Sequence, residues 1–171
     1  YGFTNNPRIL RDQLRKQQAN GGGDYPEAME QAIDKAVDAR WRDGNTAKVM
    51  FLVADAPPHD ENLARAFASF KQARKEGIRI YPLGASGVGD TAEYLMRMGA
   101  VMTQGRYLFL TDDSGVGNSH AEPKVPCYVV TPLNQLIERV LNSELRGKRV
   151  EPSAGSIIRE VGRYNQGECE K

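Results

Sequence analysis

Several chemistries are nearly missing from this sequence. Its 171 residues hold two cysteines, two histidines and one tryptophan. Cys127 and Cys169 lie far apart with no C-x-x-C nearby, so they form no metal-type pair. They are either two free thiols or one disulfide tying the end of the chain to the domain, and a bridge requires an oxidising compartment. No apolar run approaches the roughly 18 residues of a membrane span, and no signal peptide is visible. Nor is there a basic block: 23 Lys and Arg face 22 Asp and Glu, dispersed along the chain. Electrostatic binding to nucleic acid or an anionic membrane therefore has no support. The run Gly84-Ala-Ser-Gly-Val-Gly lacks both G-x-G-x-x-G and a following Gly-Lys-Ser/Thr, and reads as a strand-to-helix turn. G-x-S-x-G, the signature of an exposed serine nucleophile, is absent as well.

What is present alternates between strands and helices, on a length that suits one domain with a hydrophobic core. Val49 to Ala54 is apolar without alternation, which predicts a strand at 48–54 buried on both faces of a parallel sheet. Leu63, Phe67, Phe70 and Ala73 give a helix over 61–76 that closes at Gly77, and 78–83 is the next strand, completing a right-handed βαβ unit. A helix follows over 91–102, then a strand at 106–110, an edge strand within 125–131 and an amphipathic helix over 133–145 closed at Gly147. Upstream, helices are expected at 7–18 and from Tyr25-Pro26-Glu27 onward. Trp41 covers an edge of the core. Residues 1–147 thus form the domain, and 148–171 a tail that lies on it.

Three places carry candidate chemistry. Asp55 ends the apolar strand just before Pro57-Pro58, so its carboxylate is presented where open α/β sheets bind ligands, or else it starts a turn. Asp24 follows Gly21-Gly22-Gly23. It either caps the next helix, in a capping box with Glu27, or stands as a carboxylate beside free amides. The loop Thr111 to His120 is rich in oxygen donors. Asp112, Asp113, Ser114 and Asn118 suit calcium, or an ordered loop held by Asx-turns, and they do not match the EF-hand pattern.

Gly21-Gly-Gly-Asp-Tyr-Pro-Glu-Ala28 and Phe51-Leu-Val-Ala-Asp-Ala-Pro-Pro-His59, with the strands and helices around them, resemble a von Willebrand factor A domain. The likeness spans about residues 3–145, and is narrowest with bacterial extracytoplasmic members that carry GGGDxPEA and DAPPH. It implies an α/β fold, a doubly wound and mainly parallel sheet flanked by helices, with a metal-ion-dependent adhesion site at its upper edge. In that family the site combines Asp-x-Ser-x-Ser, a Thr in a Gly-rich loop and a later Asp. Here Asp55 matches the later Asp, Asp24 stands in place of the Thr, and Asp-x-Ser-x-Ser does not occur. The sequence therefore lacks the family's N-terminal strands, and strand 48–54 is expected to show an open edge.

The resemblance implies a non-enzymatic module for protein–protein interaction or adhesion, periplasmic, secreted or at the cell surface. Its Mg²⁺ or Ca²⁺, with Mn²⁺ also acceptable, would be held by Asp24 and Asp55 and would accept a carboxylate from a protein ligand. Two alternatives stand beside it. One is a metal-assisted hydrolase, with Asp24 and Asp55 holding the metal and His59 as general base. The other is a scaffold with a degenerate metal site.

Overall fold

The computed structural model describes residues 2–18, 23–85, 87–114, 119–120 and 122–170. Helix α1, Pro7–Arg15, starts at Asn6, whose side-chain oxygen accepts the Arg8 N–H at 3.0 Å. None of its residues is buried, and Ile9, Leu10 and Leu14 are exposed. Helix α2, Met29–Val37, begins four residues later than the capping-box reading of Asp24 requires. The Glu27 N–H instead donates to the Pro57 carbonyl at 2.8 Å, which pins 24–28 as a loop and leaves the N-terminal residue Ala28 without a side-chain cap.

Strand β1, Lys48–Ala54, leads through a single 3₁₀ turn, Asp60–Asn62, into α3, Leu63–Lys75. Gly77, at φ +71°, reverses the chain into β2, Ile78–Gly84, a left-handed conformation that suits glycine. Helix α4, Asp90–Met102, and β3, Leu108–Phe109, complete an α/β unit with a parallel sheet of order β1-β2-β3. The register sets Met50 opposite Ile80 and Phe51 opposite Tyr81. β1 is an edge strand, with no neighbour on its other side among the described residues.

Strand β3 is shorter than its apolar pattern predicts because neighbouring groups occupy β2. The Ile80 N–H donates to the Thr103 hydroxyl at 3.0 Å, and the backbone of Gly105 lies so close that a Cβ there would stand 1.8 Å from the Ile80 carbonyl oxygen. Only Leu83 and Gly84 remain to pair with Leu108 and Phe109.

Met50 and Leu52 of β1, with Ile78 and Ile80 of β2, pack against Ile33, Phe70, Leu95 and Met96 from α2, α3 and α4. Asp34 of α2 ties to α3 through the Ser69 hydroxyl and, at 2.6 Å, the Arg65 guanidinium. The Ser69 bond, opposed by partial burial and aided by Arg65, lowers the Asp34 pKa. The other face of β1 departs from the two-sided burial expected of its apolar run. Val49 and Phe51 are half-buried and Val53 is 61 % exposed, because no helix among the described residues covers that part of the sheet.

Helix α5, Leu133–Arg146, follows β4, Tyr128–Val130, and ends at Gly147 with φ +64°. The tail then turns back: β5, Arg159–Val161, pairs antiparallel with β4 as a second sheet. Cys127 and Cys169 are joined in a disulfide beside it. The expected edge strand within 125–131 therefore belongs to this small sheet and not to the parallel one.

Candidate functional site

The carboxyl end of β1 is built by three segments that meet over Asp55. The chain bends there, and the Asp55 carbonyl accepts both the Tyr25 hydroxyl and the Gly89 N–H, each at 3.3 Å. With Glu27 bonded to Pro57, the loop 23–28 is held across 55–59. Gly89 is required for that arrangement. A Cβ on it would stand 2.2 Å from the Tyr25 hydroxyl oxygen, so any side chain would displace the tyrosine. The sequence signals neither partner, since a glycine ahead of a helix reads as an ordinary turn; only the folded loops show that Tyr25 and Gly89 set the height of Asp55.

Within this frame Asp24 and His59 come together, with the His59 Nε2 3.4 Å from the Asp24 carboxylate and both side chains well exposed, His59 at 40 % and Asp24 at 64 %. Asp55 is exposed on the same edge, and its carboxylate makes no hydrogen bond or ion pair among the described residues. Gly21 and Gly22 of the glycine run lie outside the described residues. Glu30, in the first turn of α2 just beyond this loop, is 1 % exposed, and its Oε2 has no partner among the described residues. Sequence reading passes over it, because an acid in a first helical turn ordinarily serves the helix dipole.

The second acidic loop is used differently. Asp112 accepts the His120 N–H at 2.7 Å, and Asp113 accepts Nε of Arg159 at 2.9 Å. Arg159 also pairs with Glu122 at 2.9 Å, and these carboxylates, Glu122 foremost, hold its pKa well up against the opposing effect of desolvation. Asp112 and Asp113 thus fasten the loop after β3 to the chain before β4 and to β5. Asn118 lies outside the described residues, as does the side chain of Ser114.

Asp24 and Asp55 have the chemistry a hard cation prefers, exposed carboxylate oxygens at a loop edge. They fall short in number. Among the described residues no group of three or more His, Cys, Asp or Glu side chains converges into a metal cage.

A family model described as von Willebrand factor type A domain matches residues 3–121. No curated protein and no solved structure matches the chain.

Proposed function

The chain belongs to the von Willebrand factor type A domain family, and on that premise we propose that it is a non-enzymatic binding module whose protein partner docks at the carboxyl edge of the parallel sheet. Domains of this family commonly mediate protein–protein interaction. The observation that carries the reading is the meeting of Asp24 and His59 beside the exposed Asp55, on loops cross-braced by Tyr25, Glu27 and Gly89. Loops braced in this way hold oxygen donors close to one another before a ligand arrives, which lowers the cost of ordering them.

In this reading Asp24 and Asp55 hold part of the shell of a Mg²⁺ or Ca²⁺ ion, with Mn²⁺ as a substitute. The bound ion would supply a Lewis-acidic position for a carboxylate of the partner. His59 then modulates the edge, because its imidazole and a cation would share the Asp24 carboxylate. The Cys127–Cys169 bond supports placing the domain in an oxidising, extracytoplasmic compartment, the periplasm or cell surface.

Calorimetric titration with Mg²⁺, Ca²⁺ and Mn²⁺ tests the proposal. Asp55→Ala is expected to weaken binding at least tenfold while moving the metal-free Tm by no more than a degree or two, and Asp24→Thr to retain binding, since a hydroxyl is also an oxygen donor. Unchanged titration in Asp55→Ala would remove the cation from the reading. A large loss of metal-free stability would mark Asp55 as structural, in line with a scaffold whose metal site is degenerate.

The Asp24–His59 contact also underlies a second reading, metal-assisted hydrolysis with His59 as general base, oriented by Asp24. Ester or phosphoester turnover that His59→Ala abolishes would establish it in place of the first.

A further inference from the structure

Far along the chain from the Asp24–Asp55 loops, a cavity of about 550 Å³ lies between β3, α5, the β4–β5 sheet and the tail. Its size falls within the roughly 300–1,000 Å³ of small-molecule sites. The Cys127–Cys169 disulfide forms part of its wall. Leu108, Leu136, Val140 and Ile157 give it a hydrocarbon lining, and three guanidinium side chains, Arg106, Arg139 and Arg149, face it with a single carboxylate, Glu151.

The charges are not balanced. Glu151 is taken by Arg149, at 2.5 Å. Among the described residues Arg139 bonds only the Thr131 hydroxyl, at 3.3 Å, Arg106 reaches the Tyr81 hydroxyl, and neither has an ion pair. Three positive groups against one negative leave the lining two charges in excess. Arg139 feels this directly: burial lowers its pKa most, Glu151 opposes, and the neighbouring Arg106 and Arg149 lower it further. A half-buried guanidinium crowded by two others is stabilised by an oxyanion that arrives between them, and its planar fork matches a carboxylate bidentately.

We propose that this cavity binds a small amphiphilic organic anion, its oxyanion end held by Arg139 with Arg106 and its hydrocarbon body against α5 and Ile157. The apolar lining selects against inorganic phosphate or acetate. Two guanidinium groups that hold only neutral hydroxyls select against a neutral molecule of the same shape. The site shares no residue with the proposed cation edge, so it stands or falls independently of the preceding proposal.

The test uses octanoate, octyl phosphate, 1-octanol and acetate as probes, titrated in EDTA and followed by calorimetry and by amide chemical-shift changes. Octanoate is expected to bind at least tenfold more tightly than 1-octanol or acetate, with shifts confined to α5, β3 and the β4–β5 sheet. Octyl phosphate separates the headgroups: tighter binding than octanoate assigns the site to phosphate esters, weaker binding to carboxylates, and either keeps the proposal. Arg139→Gln should lower octanoate affinity at least tenfold and leave 1-octanol unchanged. If circular dichroism shows that this variant is unfolded, Arg106→Gln is read in its place, with the same expectation. Octanoate binding no better than 1-octanol, or unchanged in the folded arginine variant, overturns the proposal.

Discussion

The two faces of the parallel sheet are built on different terms. Towards α2, α3 and α4 the core is dry: Ile33, Phe70, Ile78, Ile80 and Met96 are all fully buried, and side chains from three helices interlock with β1 and β2. Towards α5 the sheet is only partly covered. Over β2, Arg79 and Tyr81 both bond Glu144, the ion pair measuring 2.8 Å, and over β1 Val53 stands in solvent. The difference shows which terms govern each side. Shape and dispersion specify the first face, and satisfied polar groups specify the second.

The contrast breaks most sharply at Phe70. Its ring lies against Gly99, where a Cβ would approach to 2.7 Å, so the α3 side chain sits directly on the α4 backbone with no room for another. Phe70→Ala should cost about 3–5 kcal/mol in chemical denaturation. The matching change on the other face, Val53→Ala, should stay within about 0.5 kcal/mol, because the side chain is already solvated. Comparable losses at the two positions would mean that the second face is covered in solution.

A smaller effect is expected at Glu144, whose side chain is 9 % exposed. Burial foremost, and then the bond to Glu144, raises the pKa of Tyr81, so the phenol remains a neutral donor. Glu144→Ala strands that hydroxyl and should cost about 1–3 kcal/mol. Tyr81→Phe in the same background should return part of the loss, because the stranded donor is then gone. A double-mutant cycle with no coupling would reassign the α5 contact to hydrocarbon packing alone.

Much of this contrast is hidden from the sequence for a definable reason. The element order was legible because strand and helix periods differ, and β1 because an unbroken apolar run ends at Asp55 and two prolines. Apolarity does not say which neighbour covers a side chain, so Val53 read as buried. Asp24 was readable as either a cap or a free carboxylate, and the sequence does not decide between them. Its surroundings depend on Glu27 bonding Pro57 and on His59 reaching back, contacts between segments about thirty residues apart. The three-residue β5 is too short to have a period at all; pairing with β4 and the disulfide define it. Arg139 and Arg106 read as dispersed surface charge because only the turn of the tail brings them to one cavity.

Tyr107 stands where the two faces meet: it packs against the helical core and also lines the cavity beneath α5. Its hydroxyl lies where a side chain on Gly84 would be, and has no hydrogen-bond partner among the described residues. Burial, helped by Glu93 and opposed by Arg97, pushes its pKa up to about 12. Removing an unsatisfied hydroxyl leaves the packing intact, so Tyr107→Phe should change stability at pH 7 by less than about 1 kcal/mol, towards greater stability. The variant becomes informative at high pH. An unfolded tyrosine ionises near pH 10, whereas the folded one keeps its proton until about 12, so across that window the folded state binds more protons. Wild-type stability should therefore fall as pH rises from 10 through 12, by on the order of 2 kcal/mol from this group. Tyr107→Phe should lack that part of the slope. Parallel pH profiles for the two proteins would mean that water reaches the hydroxyl from the cavity side, and that the boundary between the dry face and the polar one lies deeper than Tyr107.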